Sequence, residues 1–377
     1  MRRGLEGFGD DARAWRAAVG ARVPVYDRLL DAAAAIFERP AGSLENAARD
    51  RVEAAWRERR SEAAYDRPLL LLAALRAEAL RAGPRHPLFA AVGATEVRPE
   101  AASREALAGA LADAPARLFV DLATRSVQTN ETSRAVAWLW PATLAGCAGG
   151  KRPLALYDIG CSAGLNLVAE RLPTPWGDPT GGPLPVAVTA RIVARHGFDS
   201  HPLDVGRTDD VLWLGACVWP GETGRLLRLD QAIAAFGAAM ATPDAPRLQI
   251  SDAADVPARI DQLSRAAPPE TLLLAYQTVM RDYLPEALRA RYLAAMTDWV
   301  MAQPAAGPRR IWIELEAAPD AGEGSHRPPM AVTAHFADGA DGARALTLAR
   351  CGYHPDRLVP EPAAVAAFTA ASAQPSR

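Results

Sequence analysis

Lysine is almost absent: Lys151 is the only one among 377 residues, although lysine and arginine together number 42. It precedes the glycine turn of residues 160–164, so no Gly-x-x-x-x-Gly-Lys phosphate loop can form there, and triphosphate binding of that kind is excluded. Cysteine is scarce too. Cys147, Cys161, Cys217 and Cys351 form no Cys-x-x-Cys pair, which removes zinc-knuckle and thiol-redox motifs and leaves four small buried apolar residues. The six histidines, His86, His196, His201, His326, His335 and His354, lack the His-x-x-x-His spacing that sets two ligands on one helix face, so no metal is expected. No apolar run approaches the length of a bilayer span, Leu69–Leu75 being among the longest. The Met-Arg-Arg start is not followed by the apolar core of a signal peptide, and a cytoplasmic location is expected. A formal net charge of −2 gives no general attraction to phosphate backbones, so neither nucleic acid nor membrane is an expected partner.

What is present is an ordinary globular balance, with 50% hydrophobic and 23% charged residues, in a chain longer than one typical domain. From Asp11 to about Ala114 apolar residues recur at helical steps, as in Trp15, Val19, Val23, Tyr26, Leu29, Leu30 and Ala33, with Gly20 and Pro24 able to split the first run. A helical domain or cap over residues 1–120 follows. Residues 121–377 change texture, with short β-rich runs alternating with helical ones, the pattern of a mostly parallel α/β sheet. The expected strands are Leu154–Asp158, Val186–Val193, Arg247–Ile250, Thr271–Tyr276, Ile311–Leu315, Val332–Phe336 and Ala345–Leu348. The last two, joined through Asp338–Gly342, read as an antiparallel hairpin.

The most informative stretch is Leu154–Asn166, Leu-Ala-Leu-Tyr-Asp-Ile-Gly-Cys-Ser-Ala-Gly-Leu-Asn. An apolar run ends at Asp158 and breaks into a turn in which Gly160 and Gly164 allow close approach of a ligand to the backbone, with helix expected over Leu165–Arg171. The dinucleotide fingerprint Gly-x-Gly-x-x-Gly is not met, because Ser162 stands at the middle glycine position. A literal Gly-x-Ser-x-Gly is met, so a serine hydrolase of α/β type using Ser162 is one reading. Asp158 counts against it, since a carboxylate near the nucleophile disfavours an oxyanion. The alternative is a nucleoside-binding turn, and Asp158-Ile-Gly-x-Ser-x-Gly resembles the first motif of class I methyltransferases. That resemblance implies S-adenosylmethionine as cofactor and a Rossmann-like seven-stranded methyltransferase-type sheet, to which the helical periodicity above adds an N-terminal helical domain.

Further blocks resemble the bacterial family known as domain of unknown function 2332. They are Arg85-His-Pro-Leu-Phe89, Arg125-Ser-Val-Gln-Thr-Asn-Glu131 with Arg134, the Asp158–Asn166 stretch, Arg191 through Gly197-Phe-Asp199 to Asp204, Cys217-Val-Trp-Pro220 and Arg228-Leu229. The likeness spans most of residues 20–355. The chain departs from it in carrying Ala275-Tyr-Gln-Thr-Val279 where a Phe-His-Ser block is usual, and Cys351-Gly-Tyr-His354 where a His-Gly arrangement is usual.

On the methyltransferase resemblance, Asp158, Gly160, Ser162, Gly164 and Asn166 line the cofactor, the turn offering backbone N–H groups to its amino-acid part. Asp199 or Asp204 takes the ribose hydroxyls, and Asp252 accepts from the adenine amino group. Arg125 and Gln128 belong to a polar cluster with Asn130 and Glu131, expected at the pocket mouth, where Arg125 pairs with the methionine carboxylate. Gln277 and Glu316, at the carboxyl ends of the fourth and fifth strands, are the expected catalytic residues, Glu316 as base toward a small-molecule acceptor. A non-catalytic nucleoside-binding module is a third reading. Oligomeric state is not legible.

Overall fold

Gly20 and Pro24 do interrupt the first helical run. The helix Phe8–Val19 gives way to a tight turn at Gly20–Arg22, and Pro24 opens the helix Pro24–Glu38 from its first position, where the missing N–H costs nothing. In the computed structural model, residues 2–61, 63–150, 152–186, 191–304, 306–321, 328–338 and 342–373 are described. They divide into two units, one of residues 1–129 with 206–227, the other of residues 130–205 with 228–377.

The first unit is helical. After Phe8–Val19 and Pro24–Glu38 come Gly42–Trp56, Asp66–Ala82, Arg104–Ala112 and Ala116–Thr124, and the returning segment adds Thr208–Cys217. All seven apolar residues that set the first periodicity, from Trp15 to Ala33, are buried. Trp219 of the returning segment packs edge-on against Trp15 and Tyr26, with ring centres 5.5 and 6.3 Å apart. Burying such side chains contributes about 1.5–3 kcal/mol each, which explains why residues 206–227 join the helices.

The second unit is a layered α/β structure around one sheet. Its strands are β1 Leu154–Ile159, β2 Ile192–Asp199, β3 Arg247–Ile250, β4 Leu272–Thr278, β5 Arg309–Ala317, β6 Met330–Ala337, β7 Ala343–Cys351 and β8 Leu358–Pro360. They lie in the order 8-7-6-5-4-1-2-3, with β3, β2, β1, β4 and β5 parallel and β6, β7 and β8 antiparallel to their neighbours. The sheet therefore has eight strands, not the expected seven. The extra strand is three residues long, ends in Pro360 and occupies an edge, where proline is tolerated and no alternation betrays it. The second strand also moves. It runs to Asp199, whereas the expected run began at Val186, and residues 187–190 of that run lie outside the described residues. The β6–β7 hairpin is antiparallel as expected, residues 339–341 of its turn lying outside the described residues.

Both faces of the parallel strands are covered, which is why β1 and β4 are almost wholly apolar. Leu154, Leu156, Leu272 and Leu274 pack toward Val136–Ala142 and Pro362–Ala373, while Ala155, Tyr157, Ile159, Leu273 and Ala275 pack toward Val256–Ser264 and Glu286–Met301. From β1 the chain steps outward to β2 and β3, then returns to β4 on the other side of β1. That reversal places a crevice beyond the carboxyl ends of β1 and β4, the place where open α/β sheets bind ligands.

Candidate functional site

Asp158 is the penultimate residue of β1 and is 2% exposed, next to Tyr276 of β4 in register. Burial pushes its carboxyl up to about 8, the charge of Asp199 adding to the shift and the Tyr276 hydroxyl opposing it. Neither Asp158 Oδ2 nor the Tyr276 hydroxyl has a well-formed hydrogen bond among the described residues. Tyr276 therefore acts on Asp158 by proximity more than by a formed bond. An enclosed oxygen without a donor costs free energy, and a ligand donor would recover it.

Beyond Ile159 the turn takes positive φ at Gly160 (75°), Ser162 (53°) and Gly164 (69°). Ser162 and Val279, which follows β4, are the non-glycine residues with positive φ among the described residues, and they flank the reversal point. Left-handed backbone at non-glycine residues costs about 1–3 kcal/mol and persists where surrounding bonds enforce it. Here the Ser162 N–H donates to Asp199 Oδ2 at 2.8 Å, its carbonyl accepts from the Leu203 N–H at 3.2 Å, and its hydroxyl accepts from the Asn130 amide. Asp199 closes β2, and its Oδ1 accepts the His201 N–H at 2.8 Å. Two strand ends are thus tied together by one carboxylate.

Several expectations need correction. The N–H groups of Gly160 and Cys161 both donate to the Phe198 carbonyl, and that of Gly164 to Cys161, so with Ser162 bound to Asp199 these four are spent within the protein. Nor do the glycines hold space open for a ligand. A Cβ at Gly160 would lie 2.5 Å from the Met280 side chain and one at Gly164 would lie 2.6 Å from Leu248, so both glycines serve positive φ and close packing. Leu165–Arg171 is a tight three-residue-per-turn segment broken at Val168, not an α-helix, so no helix N-terminus faces the turn.

Asn166 is buried, with its Oδ1 unpartnered among the described residues and its carbonyl accepting from the Trp138 indole at 2.7 Å. Asp252 is exposed and caps the turn Ala253–Asp255 by accepting from the Ala254 N–H at 2.9 Å. Asp204 is exposed in the loop after β2. Arg125 and Gln128 belong to the helical unit, where Arg125 is held by Asp121 at 2.9 Å and Asp210 at 3.0 Å and lies over the Trp213 ring. The expected polar cluster is therefore divided after Thr129, and Asn130 and Glu131 go with the sheet.

Gln277 and Glu316 were expected to meet an acceptor, and the structure gives them an internal task instead. Gln277 is fully enclosed, its Oε1 accepting from the Tyr292 hydroxyl and the Trp312 indole and its Nε2 donating to Glu316 Oε1 at 2.8 Å. The same oxygen of Glu316 accepts the Met280 and Arg281 N–H groups at 3.0 and 3.2 Å, which fixes the turn after β4. Burial pushes the Glu316 carboxyl up to about 7, against its bonds to Gln277 and Met280.

A second polar group was not foreseen as a unit. Glu131 is gripped by both arms of Arg228 at 3.0 and 3.1 Å and lies 3.7 Å from His354 Nδ1, while Arg134 sits over the Tyr353 ring. The blocks containing these residues were visible in the sequence, but their meeting across more than 200 positions was not. Among the described residues no group of three or more His, Cys, Asp or Glu side chains is disposed to hold a metal, and no helix is long and apolar enough to cross a membrane.

The chemistry on offer is a pair of carboxylates, Asp158 and Asp199, on either side of a strained turn at the reversal point. The model of the family described as uncharacterized proteins conserved in bacteria, domain of unknown function 2332, matches residues 12–359. The chain belongs to this family. Its match extends over both structural units, so the family is defined by the helical unit and the sheet together. No curated protein and no solved structure matches the chain.

Proposed function

We propose that the sheet unit binds S-adenosylmethionine and is the catalytic body of a methyltransferase acting on a small molecule. The observation that carries this reading is Asp199, a carboxylate at the end of the second strand and joined directly to the glycine turn of the first. In dinucleotide folds an acidic residue in this relation to the turn accepts the ribose hydroxyls. The orphaned Asp158 Oδ2 fits the cofactor as well, because an ammonium or a nearby sulfonium offers the buried oxygen the positive partner that the protein does not. When bound, S-adenosylmethionine supplies an electrophilic methyl group.

The protein's own contribution is alignment: Asp199 and Asn130 set the turn, and the Gln277–Glu316 bonds set the opposite lip after β4. Thermal melts with S-adenosylmethionine, S-adenosylhomocysteine, NAD and ATP test the reading. Selective stabilisation by the first two is expected, since a ligand that binds the native state raises its melting temperature. Equal or absent responses across the four would sink it.

One observation favours the hydrolase reading, the left-handed backbone of Ser162, which a nucleophile elbow shares. Covalent labelling of Ser162 by a fluorophosphonate would establish that reading in place of the methyltransferase.

A further inference from the structure

Arg134 is 2% exposed, and among the described residues no carboxylate lies within 4.0 Å of it. Its Nε donates to the Tyr353 carbonyl at 3.3 Å, and its guanidinium carbon lies 4.5 Å from the centre of the Tyr353 ring. Its Nη2 is buried with no acceptor among the described residues. The adjacent carboxylate, Glu131, is already taken by Arg228 in a bidentate grip. Glu131 is therefore the partner of Arg228 and not of Arg134. A buried guanidinium with no carboxylate beside it is costly to keep, and an acceptor supplied by a ligand would recover part of that cost.

The position of Arg134 says where that partner comes from. The segment Asn130–Arg134 begins at Ser162, to which Asn130 donates, and ends on Tyr353, two residues past the end of β7. Because β6 is antiparallel to β5 and β7 antiparallel to β6, β7 runs in the direction of the parallel strands. Its end therefore lies at the same edge as the glycine turn. The segment follows the carboxyl edge of the sheet, and Ser133, also buried, carries a second unpartnered polar atom, its Oγ.

We propose that Arg134, assisted by Ser133, is the anchor for a carboxylate of a ligand bound at the carboxyl edge of the sheet. The planar guanidinium fork matches a carboxylate, and both unfilled groups can donate. The carboxylate has two chemical sources, the amino-acid end of the methyl donor or the small-molecule acceptor. The anchor itself does not depend on which is correct.

The test uses the full chain. Melting temperature is followed with sodium succinate against sodium chloride at matched ionic strength, and affinity is measured for S-adenosylhomocysteine and its decarboxylated analogue. Carboxylate-dependent stabilisation is expected in the native protein, lost in Arg134→Met and weakened at least tenfold in Arg134→Lys, which keeps the charge but not the fork. Without ligand, Arg134→Met should melt no lower than the native protein, because it removes an unbalanced charge and retains an apolar stem. If Arg134→Met does not fold, Arg134→Lys alone decides. A tenfold or greater loss for the decarboxylated analogue assigns the carboxylate to the donor. Succinate stabilisation with no response to S-adenosylhomocysteine supports the anchor and removes the donor reading. Failure of both succinate and S-adenosylhomocysteine to stabilise the native protein, or undiminished stabilisation in the folded variants, overturns the proposal.

Discussion

The Asp199 carboxylate accepts the backbone N–H of Ser162 at 2.8 Å, coupling the end of β2 to a left-handed residue in the turn after β1. Replacing Asp199 by alanine frees two backbone donors, those of Ser162 and His201. Asp199→Ala is expected to destabilise the protein by about 1–3 kcal/mol, and Asp199→Asn by less, since its remaining carbonyl oxygen still serves one donor. Urea unfolding of the three proteins measures this.

Ser162 should tolerate glycine better than a branched residue. Glycine adopts a φ of 53° without strain and offsets the lost Asn130 bond, so Ser162→Gly is expected within about 1 kcal/mol of the native protein. Ser162→Val, branched at Cβ in the same conformation, should lose about 2 kcal/mol or more. Equal stabilities would show that the turn relaxes and that its left-handed form is not enforced.

Asp158 predicts a pH dependence with a definite sign. Its carboxyl is raised from 3.8 to about 8, so between those values the native state holds a proton that the unfolded state has lost, and stability falls as pH rises. Glu316 acts the same way but only up to about 7, and His196, lowered from 6.5 to about 4, acts oppositely below 6.5. The window from pH 7 to 8 therefore isolates Asp158 from these two. The native protein should lose about 1 kcal/mol across it, and Asp158→Asn should lose none of that, as read from chemical unfolding at each pH.

The Gln277 network is a matter of stability. Removing the amide in Gln277→Ala strands the Tyr292 hydroxyl, the Trp312 indole and one bond to Glu316 in a dry interior and leaves a cavity. A loss of about 3–5 kcal/mol is expected, with Gln277→Glu intermediate. Comparison of melting curves checks it.

How much of this was legible depended on where polar residues fell. β1 and β4 could be read because both faces are covered and their runs are apolar. β2 could not be placed, because Arg195 and His196 interrupt its middle. Arg195 is nonetheless buried, balanced by Glu170 at 2.6 Å and Asp244 at 3.0 Å, partners that lie 25 and 49 residues away in sequence. The glycine turn was legible as a turn, but the use of its N–H groups was not, since that is decided by Phe198 and Asp199 on the misplaced strand. Arg134 stood out in the sequence as one position in a polar block. Only the fold shows that it is buried with no carboxylate in ion-pair reach among the described residues.

Calorimetric titration of the native protein with S-adenosylhomocysteine at pH 7, in two buffers of different ionisation enthalpy, decides whether the crevice beside Asp158 takes this cofactor. Saturable binding that releases up to one proton is expected, because a cationic ligand group draws Asp158 into its charged form. Affinity should rise up to tenfold per pH unit toward pH 8, and Asp158→Asn should abolish the proton release. Absence of binding by folded protein, or binding with no proton released, would contradict the proposed function.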